Sequence, residues 1–294
     1  FIDAVRVEGV SGRSRVQINR YLEGLLGQKP LTRSSLERYL LLVDDLPGVD
    51  VKSFLEPSKE NSGAAVLTVQ AEVKRFDGWS RVDNRGSDYV GPYQAEVGAV
   101  VNSFGWLGQS LTARAIGTPH QLSELQYADL SFSKEVDKEG TAIVIVGRAL
   151  RSEPGEELEV LELESRSFGG SLGLRFKPVR SREENFFLNF TLSFDNSETD
   201  ALGELLSEDV SRTVSVSGEY QFTDGLLGAN SARLTLNRGG GGFLVQRPRG
   251  ICLPPGQTLF RTRHGRGWIF RACKTWVSFS PERLFRPACE ASTR

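Results

Sequence analysis

The sequence predicts a small α+β unit, ordered β-α-α-β-β, followed by part of an antiparallel β-barrel that crosses a membrane. Three observations carry this expectation. From Asn185 to Phe194 the chain alternates strictly, with Phe186, Leu188, Phe190, Leu192 and Phe194 on one face and Asn189, Thr191 and Ser193 on the other. The pattern returns where Val210, Val214, Val216, Tyr220 and Phe222 alternate with Ser211, Thr213, Ser215, Ser217, Glu219 and Gln221. A single such strand also suits a soluble sandwich. However, each run approaches the ~9–11 residues that a tilted strand needs to cross a bilayer, against ~5–6 for a soluble strand. The third observation is that helical periodicity is confined to the first 75 residues.

Within residues 1–75, Ile2 to Val10 alternates and reads as a first strand. Ile18, Tyr21, Leu22, Leu25 and Leu26 form the apolar stripe of an amphipathic helix that Gly27 would stop. Thr32 can cap a second helix with Leu36, Tyr39, Leu40 and Val43 on its buried side, ended at Pro47-Gly48. Two strands follow, Val49 to Leu55 and Ala64 to Val73. From residue 76 to 238 nine strands are expected, at roughly 75–84, 90–103, 109–118, 121–133, 140–151, 157–175, 184–195, 209–222 and 229–238. Turn chemistry separates them, as at Asp83-Asn84-Arg85-Gly86, Glu153-Pro154-Gly155 and Asp224-Gly225. With no crossover helix between them, the strands suggest a meander.

Residues 239–294 break the pattern. They carry ten Lys/Arg and two Asp/Glu, a net +8, whereas residues 1–238 carry 26 − 35 = −9. Cys252, Cys273 and Cys289, the chain's only cysteines, also lie there. This stretch reads as an irregular basic tail, non-native or disordered. The absence of methionine and of a leader-like segment suggests a processed chain or a fragment. No apolar run is long enough for a transmembrane helix.

Leu31 to Gly48, with Leu36-Glu37-Arg38-Tyr39-Leu40-Leu41-Leu42-Val43-Asp44-Asp45-Leu46-Pro47, resembles the second POTRA domain of two-partner secretion translocators of the outer membrane. Arg81-Val82-Asp83-Asn84-Arg85-Gly86-Ser87 with Tyr89-Val90-Gly91-Pro92 resembles that family's first barrel hairpin. Tyr127, Pro154-Gly155 and Pro178-Val179-Arg180-Ser181-Arg182 fit its later strands. The resemblance implies a POTRA domain over 1–75 and, over 76–238, about nine strands of an expected 16. It also implies a location in the bacterial outer membrane with the POTRA domain in the periplasm. The implied partners are outer-membrane lipid and a large secreted exoprotein of hemolysin or adhesin type, recognised through its N-terminal secretion domain by residues of the POTRA region. Neither a nucleic-acid partner nor a cofactor is expected. The alternatives are a barrel-assembly insertase, which also joins POTRA domains to a barrel, and a soluble β-rich binding protein.

No catalytic, cofactor or metal constellation is expected. Gly169-Gly170-Ser171-Leu172-Gly173 matches a nucleophile elbow in letters, but that motif needs a strand-to-helix turn, and His120 and His264 are the only histidines. The three cysteines lack metal-ligand spacing. Small residues relieving crowding in a strand explain the glycines better. The candidate functional residues are instead Asn189, Thr191, Ser215 and Ser217, expected to face a wet lumen, with Phe190 and Val216 facing lipid. Arg148, Arg151, Arg166, Arg175, Arg180 and Arg182, with Glu162 and Glu164, are candidates to line the pore or its rim.

Overall fold

The protein is described from a computed structural model covering residues 1–223 and 228–239, plus the backbone of the short strand 268–270. The N-terminal unit runs β1 (Ile2–Glu8), α1 (Gly12–Leu22), α2 (Arg33–Asp44), β2 (Val49–Pro57) and β3 (Ala65–Val73), the predicted order. Its sheet is ordered β1-β3-β2, with β1 parallel and β2 antiparallel to β3. Thr32 caps α2 by accepting a hydrogen bond from the Ser35 amide (3.2 Å), as its side-chain oxygen suits. Ile18, Tyr21, Leu22 and Leu25 of the first stripe, with Val43 and Leu46, close over Val7, Leu67 and Val69 of the sheet. Leu26, expected in that stripe, is exposed. Gly27 adopts φ +77°, a left-handed conformation suited to glycine just after the helical segment.

Nine strands then follow as an antiparallel meander: β4 (Phe76–Asp83), β5 (Gln94–Asn102), β6 (Gln109–Gly117), β7 (Gln126–Glu135), β8 (Ala142–Ser152), β9 (Glu164–Arg180), β10 (Glu184–Ala201), β11 (Glu204–Thr223) and β12 (Ala229–Gly239). A three-residue β13 (Trp268–Phe270) adds to the β12 edge. Among the described residues the sheet stays open, because β4 pairs with β5 alone and β13 with β12 alone. No described helix is long and apolar enough to cross a membrane. Apart from Gly239 and β13, the expected basic tail lies outside the described residues, as do Cys252, Cys273, Cys289 and His264.

Two expectations are corrected. The segment expected to begin a strand at 157 is a short 3-10 turn, Glu156–Leu161, and β9 begins only at Glu164. Its glutamates 156, 157, 159 and 162 disfavour pairing in a sheet. Strands β10 and β11 are 18 and 20 residues long and reach well past the predicted ends. The two-residue turn at Leu202-Gly203, with φ of +54° and +75°, joins them as a tight hairpin. Leucine rarely takes positive φ, so sequence chemistry does not announce that turn.

Candidate functional site

Alternation along most strands, clearest in β9 to β12, divides the large sheet into two chemically distinct faces. On one, Ile143, Leu174, Phe190, Val216 and Leu236 align as a rung, and Ile145, Leu172, Leu192 and Val214 form the next. These side chains are open to solvent, with Phe190 41%, Leu192 54% and Val214 52% exposed. Aromatic contacts stud this face, Phe176 against Phe190 edge-on at 5.9 Å and Phe168 against Phe194 at 5.9 Å.

The opposite face is polar. Gly173, Thr191, Ser215 and Asn237 form one rung, and Arg175, Asn189, Ser217 and Thr235 the adjacent one. All four candidate residues are therefore brought together on this face. The Arg175 Nε donates to Asn189 Oδ1 (3.1 Å), and the Ser215 hydroxyl bonds Asn237 Oδ1 (2.6 Å). Ion pairs continue the surface, Arg81 with Glu96 (2.8 Å), Arg114 with Asp129 (2.7 Å) and Arg233 with Glu219. Arg148 on β8 reaches Asp195 on β10 (Nε to Oδ1, 3.1 Å) across Gly169, its neighbour on the strand between them. A Cβ on Gly169 would overlap the Asp195 carboxylate, while one on Gly170 would press on the Phe194 ring of the apolar face. The glycine run thus lies within β9, not at a strand-to-helix turn, and each of these two glycines makes room for a neighbour on one face. Arg151 and Arg166 instead meet at Glu164, where β9 begins.

At one end of the polar face the N-terminal unit is clamped to three short turns. Leu107, from the β5–β6 turn, is 2% exposed within the N-terminal core, and Gln17 bonds both its N–H (2.9 Å) and its C=O (2.7 Å). The Tyr21 hydroxyl donates to Asp137 O (2.9 Å) of the β7–β8 turn, and burial raises its pKa. Arg38 donates to Lys177 O (3.0 Å) and Pro178 O (3.1 Å) of β9. In the β9–β10 turn, the Arg182 amide donates to Glu37 Oε1 (2.8 Å).

Beneath these contacts lies a buried ionic cluster. Lys177, 8% exposed, pairs with Glu135 (3.1 Å) and Asp45 (3.3 Å), and Arg180 forks onto both Asp45 oxygens (2.9 and 2.7 Å). Burial pushes the Asp45 carboxyl up, but the Arg180 hydrogen bonds and the nearby Lys177 charge outweigh it and hold its pKa below the usual value. A β-bulge makes the cluster possible. Between the pairs Phe186–Val179 and Leu188–Phe176, β9 holds one residue more than β10, which turns Arg180 to the same face as Lys177. Pro178, lacking an N–H, sits within that bulge. By residue spacing alone Lys177 and Arg180 fall on opposite faces of a strand, and no spacing rule links either to Asp45 or Glu135. The lysine–proline step inside a strand was the available signal.

Two grooves are lined in part by the neighbouring residues Asp44 and Asp45. One, of about 660 Å³, lies on the polar face and includes Asp45, Arg175, Asn189, Thr191 and Ser217. The other, of about 240 Å³, runs between α2 and β2, with Leu36, Leu40, Leu41 and Val51 as its apolar part. Strand β2 forms the edge of its sheet.

No family model matches the chain. A curated relative, the heme/hemopexin transporter protein HuxB of Haemophilus influenzae (strain 86-028NP), is 26% identical over 166 residues, covering 56% of this chain and 29% of its own length. Its counterpart in strain ATCC 51907 is 25% identical over the same span. The chain therefore spans less than a third of the length of the curated relatives it matches. Among solved structures, CdiB from Escherichia coli has a TM-score of 0.68 at 17% identity, covering 85% of this chain and 47% of that one. CdiB from Acinetobacter baumannii gives 0.61 at 12% identity, covering 81% and 46%. BamA from Haemophilus ducreyi lacking POTRA domains 1-3 gives 0.50 at 13% identity, covering 82% and 48%.

Proposed function

We propose that this chain, similar to the two-partner secretion translocators, is the POTRA and leading barrel portion of an outer-membrane transporter for an unfolded exoprotein. The observation that carries the reading is the pairing of a solvent-open apolar face with a polar face, on strands up to 20 residues long. Apolar-out, polar-in strands of this kind are how a barrel wall faces lipid and water at once. A soluble sandwich would bury the Phe190 rung under a second sheet; among the described residues the second sheet belongs to the N-terminal unit, whose contacts lie at the turns and the polar face. Asn189, Thr191, Ser215 and Ser217 face the lumen in this reading, and Phe190 and Val216 face lipid.

The reading places the POTRA unit, residues 1–75, in the periplasm, with β2 as the edge where an extended cargo segment pairs through its backbone. The Val49 amide donates to Leu46 O (2.9 Å) and the Val51 amide to Asp44 Oδ1 (3.2 Å), both away from β3. Antiparallel alternation turns Ser53 and Leu55 the same way. Transport needs no catalytic step, in keeping with a relative named as a transporter. The likeness to BamA fits an insertase as the second reading, at the lower TM-score of the three.

Two variants of the complete parent protein test the proposal. Deleting residues 1–75 should abolish secretion of the exoprotein encoded beside it while the barrel still inserts. Ser53→Pro, which removes one outward N–H and leaves the β3 ladder intact, should lower secretion severalfold. Normal secretion by both variants would refute it.

A further inference from the structure

The cleft between α2 and β2 is not formed by the N-terminal unit alone. Arg182, from the β9–β10 turn of the large sheet, lines it together with Arg33 of α2. Its carboxylates are already engaged by backbone amides, Glu37 by Arg182 N (2.8 Å) and Asp44 by Val51 N (3.2 Å). The cations are less committed. Among the described residues Arg33 is exposed and has no ion pair, and the Arg182 side chain, 79% exposed, holds Glu37 only at the long distance of 3.9 Å. Beyond the cluster at Asp45, Arg175 donates to the neutral Asn189 (3.1 Å) and lies in the field of the Glu219 carboxylate.

Resting on the reading above, we propose that this composite cleft selects an extended cargo segment carrying an acidic residue beside an apolar one. The apolar side chain enters between Leu36, Leu40, Leu41 and Val51, and the carboxylate is taken by Arg33 and Arg182. Because Arg182 belongs to the barrel portion, recognition occurs only where the two units are joined, and the chain leaves the cleft facing Arg175 on the polar surface. The partner is thus an acidic, extended polypeptide.

Fluorescence polarisation on the full chain in detergent tests this with three labelled ten-residue peptides of alternating valine and threonine, carrying two central glutamates, glutamines or lysines. The glutamate peptide should bind about fivefold tighter than the glutamine peptide at low salt, and the lysine peptide more weakly than either. In Arg33→Gln/Arg182→Gln the glutamate and glutamine peptides should bind alike. Equal binding of all three by the unaltered chain would overturn the acidic selectivity while leaving edge pairing standing. A preference that survives the double substitution would overturn the assignment to this cleft. Binding of none would overturn edge pairing and the selectivity together.

Discussion

Gly169 shows how a single missing side chain shapes the polar face, because Arg148 crosses above it to meet Asp195 two strands away. Gly169→Ala should lower barrel stability by ~1–3 kcal/mol, the usual range for overpacking, whereas Gly147→Ala, where a Cβ meets nothing within 4 Å, should be neutral. The midpoint of the heat-modifiable gel shift measures both. Lys177 carries a larger share, since Lys177→Met strands Glu135 and weakens the hold on Asp45 at a buried site, for a loss of ~3–5 kcal/mol. The depressed Asp45 pKa sets the sign of the joint's pH dependence. Its stabilisation is present above the ordinary carboxylate value of ~3.9 and is lost as pH falls through the lower folded value. Protection against hydrogen exchange at the β9–β10 turn, corrected for the intrinsic exchange rate, should therefore stay flat from neutral pH to about 5 and fall below about 4, and Asp45→Asn should remove that dependence.

At the scale of the strand, the two faces make a direct prediction. Phe190→Arg should cost ~2–4 kcal/mol in lipid and Thr191→Arg much less, read as the fraction of heat-modifiable barrel; equal damage would mean that both faces are buried. These faces were legible in the sequence because an alternating pattern survives any placement of the strand ends. The β-α-α-β-β order was legible too, from the Ile18–Leu25 stripe, the Thr32 cap and Pro47-Gly48. The joint was not. Leu42, packed by Gly140, and Leu107, within the N-terminal core, are buried by contacts between units far apart in sequence, and Arg180 shares a face with Lys177 only because of the bulge. The upper half of the β10–β11 hairpin was missed because Leu202 occupies a left-handed turn position usually filled by glycine or asparagine.

At the scale of the whole molecule, the POTRA unit and the large sheet are locked together by buried apolar contact, backbone hydrogen bonds and an ionic cluster. The cleft beside β2 is lined in part by Asp44 and the polar groove by the next residue, Asp45, and in the proposed reading an extended chain passes from one to the other. That course carries the transport reading. Its most direct test is photocrosslinking during secretion, with a crosslinking amino acid placed singly at Ser53, Ser217 or Leu192 of the complete parent protein. Adducts to the exoprotein are expected from Ser53 and Ser217 and none from Leu192. Adducts from Leu192, or none from Ser217 while secretion proceeds, would contradict it.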